Sequence, residues 1–425
     1  MGCGSCHRDC SGIWCQFVLS NINPFPIYHA CSDPQADELV AGWRLPRLET
    51  ITLRRLDLLK MKIKLAQFGL GPIGLETLKL AATKSWAEIV GGIDIDPAKI
   101  GKDLGELTGT KALRGRRVYG SLEELVAQEK PDIIFHTAVS KFKVAFPQIE
   151  PMARQGISVV SSCEELLFPQ LREPRLAAKL HKICQNAGSR IVGTGVNPGF
   201  VMDVLPVCLT GVSRKVRALH VQRVVNASTR RAPLQRKIGS GWPPGEFRRL
   251  FKQGKAGHAG LKESLALIAH CLGWRVETIV ETGNAVVADH DIRTQHLEVK
   301  KGQTCGLHQR AEAKVDGIVR LTLDIKMYLD AANPHDAVQI EGDPPLDVVI
   351  NGGVAGDQAT VAALVNTARG LLQAPAGLLL MTDLPVPRMW ESSVGQTSSL
   401  GPLALHEVGD SVDWQVGDLP HALSK

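Results

Sequence analysis

The chain has 425 residues, 44% hydrophobic and 22% charged, with a formal charge of +6; this is ample core for two domains of ordinary size and excludes a disordered chain. No apolar run reaches the ~18 residues of a membrane-spanning helix. Basic residues bunch between Arg214 and Lys255 without a zinc finger or an aromatic RNA-reading motif beside them, which argues against nucleic acid and for a solvated face or an anionic-ligand site.

Residues 1–60 carry no sustained hydrophobic period and read as an extension outside the fold. They hold Cys3, Cys6, Cys10, Cys15 and Cys31. Cys3-Gly-Ser-Cys6-His7 matches a c-type haem attachment pattern, but no secretory layout accompanies it, and it reads as chance. Met1-Gly2-Cys3-Gly4-Ser5-Cys6 lacks the Ser or Thr of a myristoylation site. Cys163, Cys184, Cys208, Cys271 and Cys305 are scattered singly, the usage of reduced, buried thiols in the cytoplasm. No His and Cys spacing suits a metal.

The folded part is expected to open at Met61. Strands are predicted at Ile63–Phe68, Glu88–Asp94, Asp132–Ala138, Ile157–Ser162 and Arg190–Gly195, and helices at Ile73–Ala82, Leu122–Gln128, Pro147–Gln155 and Glu164–Ala187. Strands alternating with helices of this length imply βαβ units around a parallel sheet. Beyond Gly199 the period changes: apolar alternation at Ala218–Asn226, Thr278–Asp289 and Ile318–Tyr328, with a helix at Glu263–Leu272, indicates a mixed domain on an open sheet. Asp347–Ile350 and a helix at Gly356–Leu372 read as a return to the first domain. Residues 391–425 mix Ser, Gly, Pro and acids without period and read as a tail. The division expected is therefore 61–196, 197–350, 351–390 and the two ends.

Gly69-Leu70-Gly71-Pro72-Ile73-Gly74 is G-x-G-x-x-G between a strand and a helix, with Asp94 ending the next strand, 94 − 74 = 20 residues on. That setting, more than the glycines themselves, marks a Rossmann dinucleotide-binding domain. Gly69 permits the tight turn, Gly71 lets backbone amides approach the pyrophosphate, and Gly74 lets helix and strand pack closely. The helix N-terminus faces the phosphates, and Pro72 suits its first turn. Asp94 is expected to accept the ribose hydroxyls and repel a 2′-phosphate, favouring NAD(H). Asp96 is a second candidate, while Lys99, Arg116 and Arg117 soften the preference and leave NADP(H) open. His136-Thr137-Ala138 and Ser161-Ser162-Cys163 end neighbouring strands, so both are expected to line the nicotinamide half. His136 is equally readable as a hydrogen-bonded histidine at a strand end.

Glu164 follows at the start of a helix. Ser161 with Glu164, and Ser162 with Glu165, each also fit a capping box, so pattern alone leaves Glu164 between cap and catalyst. Four segments together resemble the family of 2,4-diaminopentanoate dehydrogenase and the native amine dehydrogenases, distant relatives of the dihydrodipicolinate reductases. They are Gly69–Gly74, Ser161-Ser-Cys-Glu-Glu-Leu166, Gly193-Thr-Gly-Val-Asn-Pro-Gly-Phe-Val-Met-Asp203 and Gly257-His-Ala-Gly-Leu-Lys-Glu-Ser264, the last followed by Leu272-Gly-Trp274. The likeness runs from about Met61 to Pro387. It implies a Rossmann domain, an α+β domain that binds substrate and forms a homodimer, and reductive amination of a small ketone or aldehyde with ammonia and NAD(P)H, or the reverse deamination. The family's catalytic glutamate falls on Glu164, its Asn-Pro-Gly turn on Asn197, Pro198 and Gly199. The substrate and lysine motifs of the dipicolinate reductases are missing, which argues against that activity.

Chemistry assigns the remaining residues. A carboxyl group suits the proton transfers of carbinolamine formation and dehydration, the role given to Glu164. Phe200 and Met202 line the pocket or pack the core; Asn197 bonds the nicotinamide or shapes its turn; His258 faces substrate or caps its loop; Asp357 reads as an N-cap rather than a catalyst. Two other readings stay open: an imine, enamine or carbonyl reductase that needs no ammonia, and a dinucleotide-binding sensor without catalysis.

Overall fold

The computed structural model describes residues 62–390; the extension and its cysteines, Met61 and the tail lie outside them. Seven strands form one sheet: β1 (Ile63–Phe68), β2 (Ala87–Ile93), β3 (Val118–Tyr119), β4 (Ile133–His136), β5 (Ser158–Ser161), β6 (Arg190–Gly193) and, from much later in the chain, β15 (Gly377–Leu379). Their order is β15-β6-β5-β4-β1-β2-β3, and every pairing is parallel. The chain runs outward from β1 to β3, then restarts at β4 on the other side of β1. The carboxyl ends of β1 and β4 therefore flank the crevice where such sheets bind ligands.

Ten helices accompany the strands among the described residues: α1 (Pro72–Ala82), α2 (Leu104–Thr108), α3 (Leu122–Gln128), α4 (Phe142–Arg154), α5 (Pro174–Ala187), α6 (Val204–Thr210), α7 (Ala232–Lys237), α8 (Pro244–Lys252), α9 (Leu261–Cys271) and α10 (Gly356–Gln373). Both faces of the parallel sheet are covered, which is why its strands read as continuous apolar runs. Phe135, Val160 and Val192 pack with Leu78 of α1 and Leu364 and Leu371 of α10. Their neighbours Ile134, Val159 and Ile191 point the other way, onto Phe146 and Ile149 of α4 and Leu180 of α5.

The second sheet is mixed, in the order β14-β13-β7-β12-β11-β8: β7 (Lys215–Asn226), β8 (Thr278–Val287), β11 (Thr304–Val315), β12 (Ile318–Tyr328), β13 (His335–Asp343) and β14 (Leu346–Asn351), with β9 (Ile292–Arg293) and β10 (Glu298–Val299) pairing separately. Leu219, Val221, Leu321, Leu323 and Ile325 bury one face against Phe247 of α8 and Leu261, Leu265 and Ile268 of α9. The fold is thus a Rossmann-type α/β layer joined to an α+β layer.

Five expectations change. Asp347–Ile350, expected to return to the first layer, lies in β14 and pairs with β13 at the edge of the second sheet. The helix predicted at Glu164–Ala187 is two 3₁₀ turns, Glu164–Leu167 and Pro169–Leu171, before α5. Pro169 and Pro174 force extended φ values of −142° and −128° on Phe168 and Glu173. The helix predicted from Pro147 starts earlier, at Phe142, with Pro147 and Pro151 inside it. Pro147 is exposed, on the solvent side of the helix, where a missing N–H costs least. Strands β11 and β13 were not predicted; the inward positions of β11 include Gln309, Ala311 and Ala313, too small or polar to make a strong alternation. Of the five described cysteines, all free, Cys208 is exposed rather than buried. Among the described residues no helix is long and apolar enough to cross a membrane.

Candidate active site

The loop after β1 is shaped for a phosphate. Gly69 leaves the strand at φ 87°, the left-handed region that a side chain disfavours. At Gly74 a Cβ would stand 2.0 Å from the Gly69 carbonyl oxygen, so only glycine lets α1 lie this close to β1. At Gly71 a Cβ would meet nothing within 4 Å: here the backbone is open to whatever approaches. Gly71 is also the N-cap of α1, without a side-chain cap and followed by Pro72. The first amides and the positive end of α1 are therefore left for a ligand. Thr137 braces the loop from β4, its Oγ1 donating to the Gly69 carbonyl at 3.0 Å and accepting from Gln67 at 2.9 Å. Ala138 is exposed at the same rim. These features fit the pyrophosphate of a dinucleotide in shape and in charge.

Asp94 stands at the end of β2 as expected, but its carboxylate is already engaged. It accepts from the Leu70 amide at 2.7 Å, the Asp96 amide at 2.9 Å and Lys99 Nζ at 3.1 Å. Burial alone would raise this carboxyl; the two amides and the ammonium outweigh it and hold the group below its ordinary value. Asp94 thus ties the glycine loop to β2 and keeps capacity for one more donor, while Asp96 is the more exposed acid.

From Ile73 at the start of α1 a cleft of about 270 Å³ runs to the ends of β5 and β6. Ser162, Glu164, Thr194, Asn197 and His258 line it, together with Arg223, Arg230, Arg231 and Lys237 from the second sheet and its helices. Glu164 opens a 3₁₀ turn capped by the Cys163 backbone with no side-chain cap. Ser161 Oγ takes the Cys163 amide at 3.1 Å and bonds His136 Nδ1 at 2.8 Å. Glu165 takes the Phe142 amide at 2.9 Å. Neither serine forms the capping box that would have explained Glu164, and its carboxylate is left to the cleft, one-fifth exposed, with Lys237 Nζ 3.9 Å away. Gly193 explains the closeness of this turn to β6: a Cβ there would lie 2.5 Å from the Leu166 backbone.

The later segments interlock. A Cβ on Gly260 would strike Pro198 Cγ at 2.5 Å, and one on Gly199 the Gly195 amide at 2.2 Å. Buried Asp203 joins them, accepting from the Gly199 amide at 2.9 Å, the Val204 amide at 2.7 Å and Ser264 Oγ at 2.7 Å. The Asn-Pro-Gly turn and the Gly257–Ser264 segment therefore form one unit that presents Asn197 and His258 to the cleft. Asn197 gives its Nδ2 to the Met202 sulfur at 3.2 Å, and its Oδ1 is buried without a partner. The His258 amide donates to Gln309 Oε1 at 2.7 Å. Its ring bonds the Asn197 backbone, and Nε2 is buried and unpaired. Thr194 Oγ1 is a third orphan on this cleft. Buried polar atoms without partners are costly, and their convergence on one cavity marks a ligand site.

Four residues expected at the cleft lie elsewhere. The His136 ring is fully buried, bonded at both nitrogens, to Ser161 and to Gln148 Oε1 at 2.8 Å. It stacks on Phe68, so it braces the strands rather than meeting a ligand. The Cys163 side chain is in the core, burial pushing its thiol up to about 12. Met202 is fully buried in the second core. Phe200 borders a separate cavity of about 220 Å³ against α10, because the turn through Gly199, at φ 128°, carries the next side chain to the reverse of the loop. Asp357 is not an N-cap: Ala355 holds that position, and Asp357 pairs with Arg230 at 2.7 Å and Arg231 at 3.0 Å. The cleft's cations were missed one by one; their only signal was the basic run between Arg214 and Lys255.

Burial first, then Lys237 and Arg223, press the His258 pKa from 6.5 down to about 3. Below about pH 6.5 the unfolded chain binds a proton that the folded chain refuses, so this residue makes stability fall as pH drops from 6.5 toward 3. Wild type should lose about 1–3 kcal/mol more than His258→Asn between pH 7 and pH 4.5. Denaturant melts at both pH values test this; equal losses would contradict it.

Residues 200–399 match the family described as the 2,4-diaminopentanoate dehydrogenase C-terminal domain. The 2,4-diaminopentanoate dehydrogenase of Acetoanaerobium sticklandii is 29% identical over 342 residues, spanning 77% of this chain and 94% of the relative. An amine dehydrogenase of Streptomyces virginiae is 24% identical over 349 residues, spanning 75% and 95%. Among solved structures, amine dehydrogenase from Mycobacterium smegmatis shares the fold with a TM-score of 0.70 at 22% identity, over 78% of this chain and 98% of that one.

Proposed function

We propose that the chain is a nicotinamide-dependent amine dehydrogenase of the kind its similarity to 2,4-diaminopentanoate dehydrogenase and to an amine dehydrogenase supports, and that it uses Glu164 as its proton carrier. The observation that carries this reading is the Glu164 carboxylate, released from any capping duty and opening on the cleft that begins at the phosphate-binding loop. In the aminating direction a carbonyl compound, ammonium, NADH and one proton give the ammonium product, NAD⁺ and water. When bound, the nicotinamide supplies the hydride for the C=N carbon.

The chain's own groups handle the protons. Glu164 takes a proton from the incoming ammonium, freeing the lone pair that attacks the carbonyl carbon. It returns that proton to the carbinolamine oxygen as water leaves. In deamination the same carboxylate activates the water that hydrolyses the imine. Asn197 Oδ1 is suited to the carboxamide N–H of the cofactor, and His258 Nε2 to a substrate N–H or O–H, since each is a buried acceptor without a donor. The acids at the end of β2, Asp94 and Asp96, favour NAD(H) over NADP(H) by repelling a 2′-phosphate, an effect that Lys99 moderates.

Ammonium dependence tests this reading. NADH oxidation, followed by absorbance with cyclohexanone or small aldehydes, should require ammonium and should rise with its concentration at fixed carbonyl. Equal turnover without ammonium would instead make the protein a carbonyl or imine reductase. Tight NADH binding without any turnover would make it a sensor.

A further inference from the structure

Two cavities meet over the start of α1. The cleft that holds Glu164 and a groove of about 590 Å³ between α1 and α10 share Ile73, Arg231 and Asp357 as lining residues. Ile73 and Asp357 lie in the first turns of α1 and α10, whereas Arg231 comes from the second layer, as the N-cap of α7. Among the described residues it is the one cation lining both cavities. The glycine loop itself brings no charge, since only Leu70, Pro72 and Ile73 stand among its glycines. Neutral amides and the positive end of α1 face what binds there, yet a pyrophosphate carries a negative charge on each phosphate. The nearby lysines are engaged: Lys79 bonds Glu76 at 2.7 Å, and Lys99 pairs with Asp94 and Asp96.

Arg231 is the loosely held member of its ion pair. Asp357 Oδ1 accepts from Arg230 Nη2 at 2.7 Å, a charge-assisted distance. Arg231 reaches the same carboxylate at 3.0 Å through Nε and 3.3 Å through Nη2, beyond that range, and its side chain is 39% exposed. Two guanidinium groups thus share one carboxylate, which leaves a positive charge over. If Arg231 turns away, Asp357 remains neutralised by Arg230. Resting on the dinucleotide reading above, we propose that Arg231 is the second layer's clamp on the cofactor pyrophosphate. On binding, its guanidinium exchanges Asp357 for phosphate oxygens, which its planar fork matches. The exchange joins α7 of one layer to α1 of the other through the ligand.

Direct binding to the full-length protein tests this, with Kd read by fluorescence quenching for NADH and by calorimetry for ADP-ribose, which has the pyrophosphate but no nicotinamide. Arg231→Met should weaken both ligands by the same factor, roughly 10- to 100-fold, the worth of a charge-assisted hydrogen bond. Wild-type affinity should fall as salt rises from about 0.05 to 0.5 M, and the variant's should fall less, because one screened charge is gone. Asp357→Asn separates a clamp from a brace. A clamp freed of its competing acid should bind NADH about two- to tenfold more tightly, whereas a brace between α7 and α10 is broken from either end. Arg236→Met removes a positive charge from an exposed position of the same helix and should leave both Kd values within about twofold. Unchanged binding by Arg231→Met overturns the proposal, as does a loss confined to NADH, which would put Arg231 at the nicotinamide. An equal loss in Asp357→Asn or in Arg236→Met overturns it too, the first as a brace and the second as an effect of net charge. Wild-type protein that binds neither ligand overturns the dinucleotide reading itself.

Discussion

Glu164→Gln is expected to lower kcat for ammonium-dependent NADH oxidation by about 10²- to 10⁴-fold, the usual worth of a positioned acid–base group, with the Kd for NADH nearly unchanged. Glutamine keeps the shape of the side chain and its place on the 3₁₀ turn, and the turn is held by the Cys163 backbone and by Glu165 bonded to Phe142, not by Glu164. What the amide cannot do is pick up and release a proton. The neighbouring substitution is an internal control. Glu165 supports the start of α4 and stands 3.5 Å from Arg172, which also bonds buried Glu263 of α9. Glu165→Gln should therefore lower thermal stability more than it lowers kcat. Single-turnover measurement of hydride transfer separates the two, and a Glu164→Gln enzyme within about threefold of wild type would remove Glu164 from the chemistry.

Two alanine substitutions in one loop should fail for different reasons. Gly71→Ala places a methyl where no protein atom lies within 4 Å, at a φ of −74° that alanine adopts without strain. Folding stability should stay within about 1 kcal/mol of wild type. The Kd for NADH should rise at least about tenfold, because the methyl occupies the path by which phosphate oxygens reach the amides of α1. Gly74→Ala puts its methyl 2.0 Å from the Gly69 carbonyl and 2.9 Å from Thr137 Oγ1. Backbone must move, at a cost of about 1–3 kcal/mol, so Tm and NADH affinity should fall together. Thermal melts with and without NADH distinguish the cases. A Gly71→Ala protein that binds NADH as tightly as wild type would place the dinucleotide elsewhere.

Much of the first layer was legible from order along the chain. The strand, the glycine loop, α1 and the acid at the end of β2 are contiguous, and each glycine has a local geometric cause, so that segment carries its own instructions. Glu164 was legible as a choice between a cap and a catalyst; only the positions of Ser161 and Glu165, both engaged elsewhere, removed the cap. His136 and Met202 show the limit. Strand and turn periods say that neighbouring side chains point apart, but which of them meets the cleft depends on what packs on each face, here Gln148 of α4 for His136 and the second core for Met202.

Local sequence thus determined the glycine loop and its packing on β1, because such a loop is built from backbone within a few residues and its steric needs are written at each position. Tertiary structure alone decided the cleft's charge. Glu164 and Lys237 are 73 residues apart in sequence (237 − 164) yet 3.9 Å apart in space, and Arg223 finds its counter-charge in Asp336 across two paired strands. A side chain's charge is encoded where it stands, but whether that charge is spent or free depends on partners that only the fold brings near.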